Sequence, residues 1–170
     1  TILNAVENKL ANAETKIDAR KPLHIGKYEI GDYHATNRIL TLDEAFLHSS
    51  NIAISKLALK VGSDAQSDFM KKIGFDRKST IQFMETAEPI LPKSQSKIIT
   101  ATTGFGHGFA VTPLHAVVAM SAFVNGGHTV EPSIVKQDKK EPSNQSNIIS
   151  TETSAYARHL LALNVEKGSG

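Results

Sequence analysis

The stretch from Thr41 to Val61 constrains this chain more tightly than any other, because it reads as two helices broken by three small polar residues. Thr41 followed by Glu44 is a capping box, in which hydroxyl and carboxylate each satisfy a free backbone N–H, so a helix is expected from Leu42. Ile54, Leu57, Ala58 and Val61 recur at helical spacing, and Gly62 offers a left-handed stop. Ser49, Ser50 and Asn51 stand between the two pieces. Their side chains compete for the backbone and disfavour a helix interior, which places them at a junction. Such a junction can turn the polar heads of Ser49 and Asn51 toward a cleft. The tripeptide alone reads equally well as a cap, with Ser50 or Asn51 accepting from the first turn of the next helix.

The rest of the chain is mostly helical in pattern. Ile2, Leu3, Val6 and Leu10 share one face of an amphipathic helix over Thr1 to Ala11 that is already under way at the first residue. Leu23 to Ile30 alternates around Gly26-Lys27, a two-residue hairpin turn with glycine first. Ser63 with Gln66 forms a second capping box, and Phe69, Met70 and Ile73 carry an apolar face up to Gly74. Gln82 to Lys93, with Pro89 and Pro92, reads as an extended loop, and Ser96 to Thr103 as a short helix. Thr112 as cap and Pro113 as first helical residue open a helix that runs to Asn125-Gly126-Gly127. Being apolar nearly all round, that helix is expected to be central. A short strand over Thr129 to Lys136 follows, then a polar surface loop from Gln137 to Asn147. The last helix begins near Ser150, buries Tyr156, Leu160 and Leu163, and ends at Lys167-Gly168. The expected class is therefore mainly α with short β elements.

Composition narrows the chemistry. The absence of cysteine removes disulfides, thiol nucleophiles and cysteine metal sites. The 19 basic and 17 acidic residues stand in mixed order without a basic stripe, which argues against nucleic acid as a partner. None of the seven histidines has metal-ligand spacing, so neither a metal nor a cofactor is expected. His48 reads as a helix-end residue and His107 as a turn residue. The longest apolar run, from Ala116 to Val124 across Ser121, is too short to span a bilayer, so no membrane segment is expected within these residues. Gly104, Gly106 and Gly108 lack the lysine of a phosphate loop and read as tight backbone approach.

Ser49-Ser50-Asn51-Ile-Ala-Ile-Ser-Lys-Leu-Ala resembles the second active-site motif of class B penicillin-binding proteins, the D,D-transpeptidases that cross-link peptidoglycan. Gly104-Phe-Gly-His-Gly-Phe-Ala-Val-Thr-Pro-Leu-His, running on to Val124-Asn-Gly-Gly, resembles the stretch that follows it in the same family. The resemblance implies the helical part of the penicillin-binding protein and serine β-lactamase-like transpeptidase fold. On that reading residues 1–170 are one partial transpeptidase domain with the central sheet largely missing. It further implies a soluble piece of a membrane-anchored parent at the periplasmic face of the bacterial inner membrane. Implied partners are peptidoglycan stem peptides, β-lactams for the intact parent, and other cell-wall synthesis or division proteins, with self-association through uncovered apolar surface.

Serine acyl transfer in this family uses a Ser-x-x-Lys one helical turn apart, a Ser-x-Asn, and a strand bearing Lys-Thr-Gly, in that chain order. Ser94-Gln-Ser-Lys97 and Ser133-Ile-Val-Lys136 both fall after Ser49 and read as chance strings. The nucleophile is expected just upstream of Thr1, and the Lys-Thr-Gly strand beyond the last helix, with Lys167 no substitute for it. The implied roles therefore transfer only to Ser49, as catalytic proton relay, and to Asn51, as the substrate-binding amide that also helps to hold the lysine. The fragment alone is expected to be inactive. An alternative from another class is a non-catalytic helical interaction module of the cell-wall synthesis machinery.

Overall fold

The computed structural model describes residues 1–82, 85–136 and 147–168. Seven helices, α1 (Ile2–Glu7), α2 (Leu42–Leu47), α3 (Asn51–Val61), α4 (Ser63–Lys72), α5 (Lys97–Gly104), α6 (Pro113–Val124) and α7 (Thr151–Lys167), carry the described fold. Between α1 and α2 lie four short strands: β1 (Ile17–Asp18), β2 (Leu23–Ile25), β3 (Tyr28–Ile30) and β4 (Ile39–Leu40). β1 pairs with β4 and β2 with β3, both antiparallel, and the Ile25–Tyr28 register leaves Gly26-Lys27 as the hairpin turn. Gly26 has φ +59° while Lys27 does not adopt a positive φ, the pattern of a turn that needs glycine first.

The axis of the fold is α3. Ile52, Ala53, Ser55, Leu57, Ala58 and Val61 are buried on it, and Ile52, Ala53, Leu57 and Val61 join Ile2, Leu40, Leu42 and Leu160 in the larger of two apolar clusters. Each fully buried Leu or Ile contributes about 1.5–3 kcal/mol relative to exposure. Small residues let α3 and α5 approach closely. Ser55 donates to the Ala101 carbonyl at 3.2 Å, and a Cβ added at Gly104 would stand 2.6 Å from that of Ala58. Glycine at 104 thus serves packing, as its tight-approach reading requires. The second cluster joins Phe69 and Ile73 near the end of α4 to Ala119 and Ala122 of α6 and to Ile148 and Ile149. Gly127 has φ +96°, and a Cβ there would sit 1.9 Å from the Ile149 carbonyl oxygen. Only glycine admits this crossing.

Several expectations need correction. The first helix ends at Glu7 rather than Ala11, where Asn8 caps it and Lys9 turns to φ +56°; its buried residues are Ile2, Asn4 and Ala5. Gly62, not Ser63, is the N-cap of α4: its φ of +88° ends α3, leaving no extended residue at 63 whose hydroxyl could reach back. The anticipated 63–66 capping box is therefore absent. Residues 129–136 form no strand; an isolated bridge pairs His128 with Asn147 instead. Gly126 and Gly127, with φ +99° and +96°, turn the chain just before this bridge. The apolar girth of α6 is only partly covered, in line with the uncovered apolar surface expected above: it buries His115, Ala119 and Ala122 and leaves Val117 61% and Met120 47% exposed. In the last helix Leu160 is buried, while Tyr156 and Leu163 are half-buried. Residues 137–146 of the expected polar loop lie outside the described residues, as do Phe83 and Met84 of the extended segment.

Candidate active site

The site is assembled at the junction between α2 and α3. The Thr41 capping box is complete: Thr41 Oγ1 accepts from the Glu44 N–H at 3.2 Å, and a Glu44 carboxylate oxygen accepts from the Thr41 N–H at 2.9 Å. That backbone bond, set against some desolvation and helped by Arg38, holds the Glu44 carboxyl below its ordinary value. At the other end His48 is the C-cap, with its Nε2 3.0 Å from Arg38 Nη2. The chain then turns at Ser49 with φ +49°, a left-handed conformation that costs a non-glycine residue about 1 kcal/mol or more. Ser50 starts α3 as its N-cap, accepting from the Ala53 N–H at 3.1 Å. The cap reading was thus right for Ser50, while Ser49 and Asn51 are left for other work.

Ser49 and Asn51 both line one cleft of about 440 Å³. Its walls are the start of α1 (Thr1, Ile2, Leu3), Phe46 of α2, Phe105 after α5, Met120 and Phe123 of α6, and Leu160, Leu161 and Asn164 of α7. The cleft runs between the two apolar clusters, since Ile2 and Leu160 belong to the first and Leu3 and Phe123 pack against the second. Its lining is apolar except for a few polar heads, the usual composition of a small-molecule site. Ser49 is exposed, and its hydroxyl has no hydrogen-bond partner among the described residues. The Asn51 amide donates one N–H to the Gly31 carbonyl at 3.3 Å. A second, broader depression reaches Asn51 from the far side, between the β2–β3 hairpin and α5, with His107 on its rim. The beginning of the chain is anchored beside the motif by a 2.7 Å bond from the Thr1 hydroxyl to the Gly104 carbonyl.

The dismissed strings have no comparable setting. Ser94 lies before α5 and accepts from the Ser96 N–H, and Ser133 bonds to Gln82 and Val135 within an irregular segment. Neither serine is on a helix, so neither presents a lysine one turn away. Among the described residues no group of three or more His, Asp or Glu side chains is placed to hold a metal. Asp32 escaped the sequence reading. It lies in the loop before β4, 18 positions from the Ser50 it contacts, in a segment without periodicity. No local pattern marks it.

Comparison with known proteins agrees with this architecture. The family described as "Penicillin binding protein transpeptidase domain" matches residues 1–170, and the chain belongs to it. A Caulobacter vibrioides protein named "Probable peptidoglycan D,D-transpeptidase FtsI" is 34% identical over 170 residues, covering 100% of this chain and 29% of the relative. The Escherichia coli K12 protein named "Peptidoglycan D,D-transpeptidase FtsI" is 32% identical over 123 residues, 71% of this chain and 21% of that one. The chain therefore spans less than a third of the length of these relatives. Among solved structures, the transpeptidase domain of Burkholderia pseudomallei penicillin-binding protein 3 superposes with a TM-score of 0.88 at 21% identity, covering 94% of this chain and 49% of that one. At that identity the likeness speaks for the fold.

Proposed function

We propose that this chain is the helical part of a peptidoglycan D,D-transpeptidase domain and contributes the Ser-x-Asn side of its acyl-transfer site. The observation that carries the reading is the meeting of Ser49 and Asn51 in one cleft with the first residues of α1. On this reading the nucleophilic Ser-x-x-Lys of the parent domain would come from its part N-terminal to α1, whose first residues line the same cleft as Ser49. In acylation the nucleophile's oxygen bonds to the carbonyl carbon of the donor peptide or β-lactam, the C–N bond breaks, and the nucleophile's proton ends on the leaving nitrogen. The lysine takes that proton and Ser49 relays it, a general acid–base role for a hydroxyl that has no competing partner among the described residues. Asn51 keeps one N–H on Gly31 and offers its second N–H to a substrate carbonyl.

The central sheet with its Lys-Thr-Gly strand belongs to the remainder of the domain. The exposure of Val117 and Met120 on a helix as apolar as α6 supports this, because such a face is normally covered. No helix among the described residues is long and apolar enough to cross a membrane. The intact protein, anchored at the periplasmic face of the inner membrane, would act on stem peptides beside other division or wall-synthesis proteins.

The test is acylation by a fluorescent penicillin read on a denaturing gel. The full-length protein is expected to label and the 170-residue chain not to. In the full-length protein Ser49→Ala should slow labelling by about 10²-fold or more, the range of a lost general acid–base group. Labelling of the short chain that vanishes on Ser94→Ala or Ser133→Ala would overturn the assignment. Labelling of neither protein would favour the non-catalytic interaction module.

A further inference from the structure

Ser49 holds a strained backbone angle in an exposed position, and such strain persists only where neighbouring residues over-determine it. Three devices surround the junction. The Thr41 box fixes the start of α2, a full helix away. The Arg38–Glu44 pair is an exposed ion pair, worth little in water. The third device is Asp32, and it grips the residues on the far side of Ser49 directly. Its Oδ2 accepts from the Ser50 hydroxyl at 2.7 Å and its Oδ1 from the Ile52 N–H at 2.9 Å. The carboxylate thus spends both oxygens on the first turn of α3, with Ser50 buried beneath it. A carboxylate at a helix N-terminus also lies at the favourable end of the helix dipole. The preceding residue supplies the carbonyl that holds the Asn51 amide.

We infer that Asp32 is a positioning residue for acyl transfer: through Ser50, Ile52 and the adjoining Gly31 carbonyl it sets the Ser49 hydroxyl and the Asn51 amide at the working distance and angle. This rests on the roles given above to Ser49 and Asn51. Asp32 touches neither substrate nor reacting atoms. Its contribution is directional, because charge-assisted bonds are short and stiff, and a small misplacement of a proton relay lowers the rate of the chemical step without unfolding the site.

The decisive variant is Asp32→Asn in the full-length protein. It conserves size and one acceptor, but its NH₂ faces either the Ile52 N–H, which cannot accept, or the Ser50 hydroxyl, whose own hydrogen then loses the acceptor it has in Asp32. Fluorescent penicillin labelling is followed in time, so that rate and final labelled fraction are read separately. Positioning requires an acylation rate lowered about ten-fold, the size of one lost hydrogen bond to a charged group, with the final fraction still complete. A residue that merely supports the fold would lower the final fraction and leave the rate of the labelled molecules unchanged, which would overturn the inference. Asp32→Asn added to Ser49→Ala should cost much less than it costs alone, since both act on one proton path; independent, multiplicative losses would also overturn it.

Ser49→Ala alone separates the two levels. If it does not slow labelling, the Ser49 role fails first; if it does and Asp32→Asn does not, only the Asp32 inference fails. Should Asp32→Asn not fold, Ser50→Ala keeps the Asp32–Ile52 bond and removes one of the two contacts. It should then show a reduced rate at full amplitude, and an unchanged rate would reject the inference.

Discussion

At the start of α3, Ser50 accepts from the Ala53 N–H and donates its hydroxyl to Asp32, 18 residues away; at the start of α7, Ser150 accepts from the Thr153 N–H and donates to Glu7, 143 residues away. Each carboxylate also takes a backbone N–H, that of Ile52 in one case and of Ser150 in the other. The parts are the same, and what precedes each cap differs. Before Ser150 comes Ile149, 1% exposed and pressed against Gly127. Before Ser50 comes Ser49, exposed, strained and open to the cleft. A serine cap clamped by a distant carboxylate can therefore lock two segments of a core or hold a reactive edge in place. The neighbour on its N-terminal side decides which.

If that contrast is right, lesions at the α7 end should lower stability and leave the acylation rate of the folded protein alone. The largest effect is expected for Gly127→Ala, where the new methyl overlaps the Ile149 carbonyl and must adopt φ +96°. A loss of about 3 kcal/mol in urea unfolding is expected from overpacking and strain together. A loss under about 1 kcal/mol would show that the crossing relaxes easily.

Glu7→Gln should come next, at about 2 kcal/mol near neutral pH, because it removes charge-assisted acceptors from Ser150. Burial raises the Glu7 carboxyl, but hydrogen bonds from Thr153 and Ser150 and the charge of Lys72 outweigh it, so the net displacement is below the ordinary 4.5. The folded state thus holds its proton less tightly than the unfolded chain. The stabilisation is complete above the unfolded value and is lost as pH falls through the lower folded one. Wild type and Glu7→Gln should consequently converge in stability in strong acid and diverge above pH 5. Parallel curves across that window would remove the carboxylate from the account.

Ser150→Ala and Ser50→Ala make the sharpest pair. Each loses a cap, and about 1 kcal/mol of stability is expected from both in thermal melting. Only Ser50→Ala should slow penicillin acylation. Equal effects on the rate would erase the distinction between the two ends.

The smallest effect is reserved for a contact linking the two regions. Tyr156 of α7 donates to Asp43 of α2 at 2.6 Å, and burial, with Asp43 beside it, pushes the phenol well above its ordinary value. Tyr156→Phe should lower stability by about 0.5 kcal/mol, since His159 still bonds Asp43. It should not change the acylation rate. A slowed rate would mean that the two ends are mechanically coupled.

The chain's own letters determined what depends on near neighbours. The Thr41–Glu44 box, the Ser49–Asn51 break, the Gly26 turn, Pro113 behind its Thr112 cap and the apolar spacing of α3 are all short-range devices, legible because the contacts they need lie within one helical turn. The family, too, was readable from two local motifs. Tertiary structure decided the rest. Gly62 displaced Ser63 as a cap because one backbone angle serves the end of α3 and the start of α4. The exposure of α6 depends on what packs beside it and not on its own apolar content. Asp32 and Glu7 reach their serines only after the chain has folded back on itself. A carboxylate in a loop has no periodicity to betray it, and its partner is chosen by proximity in space, which no local pattern encodes.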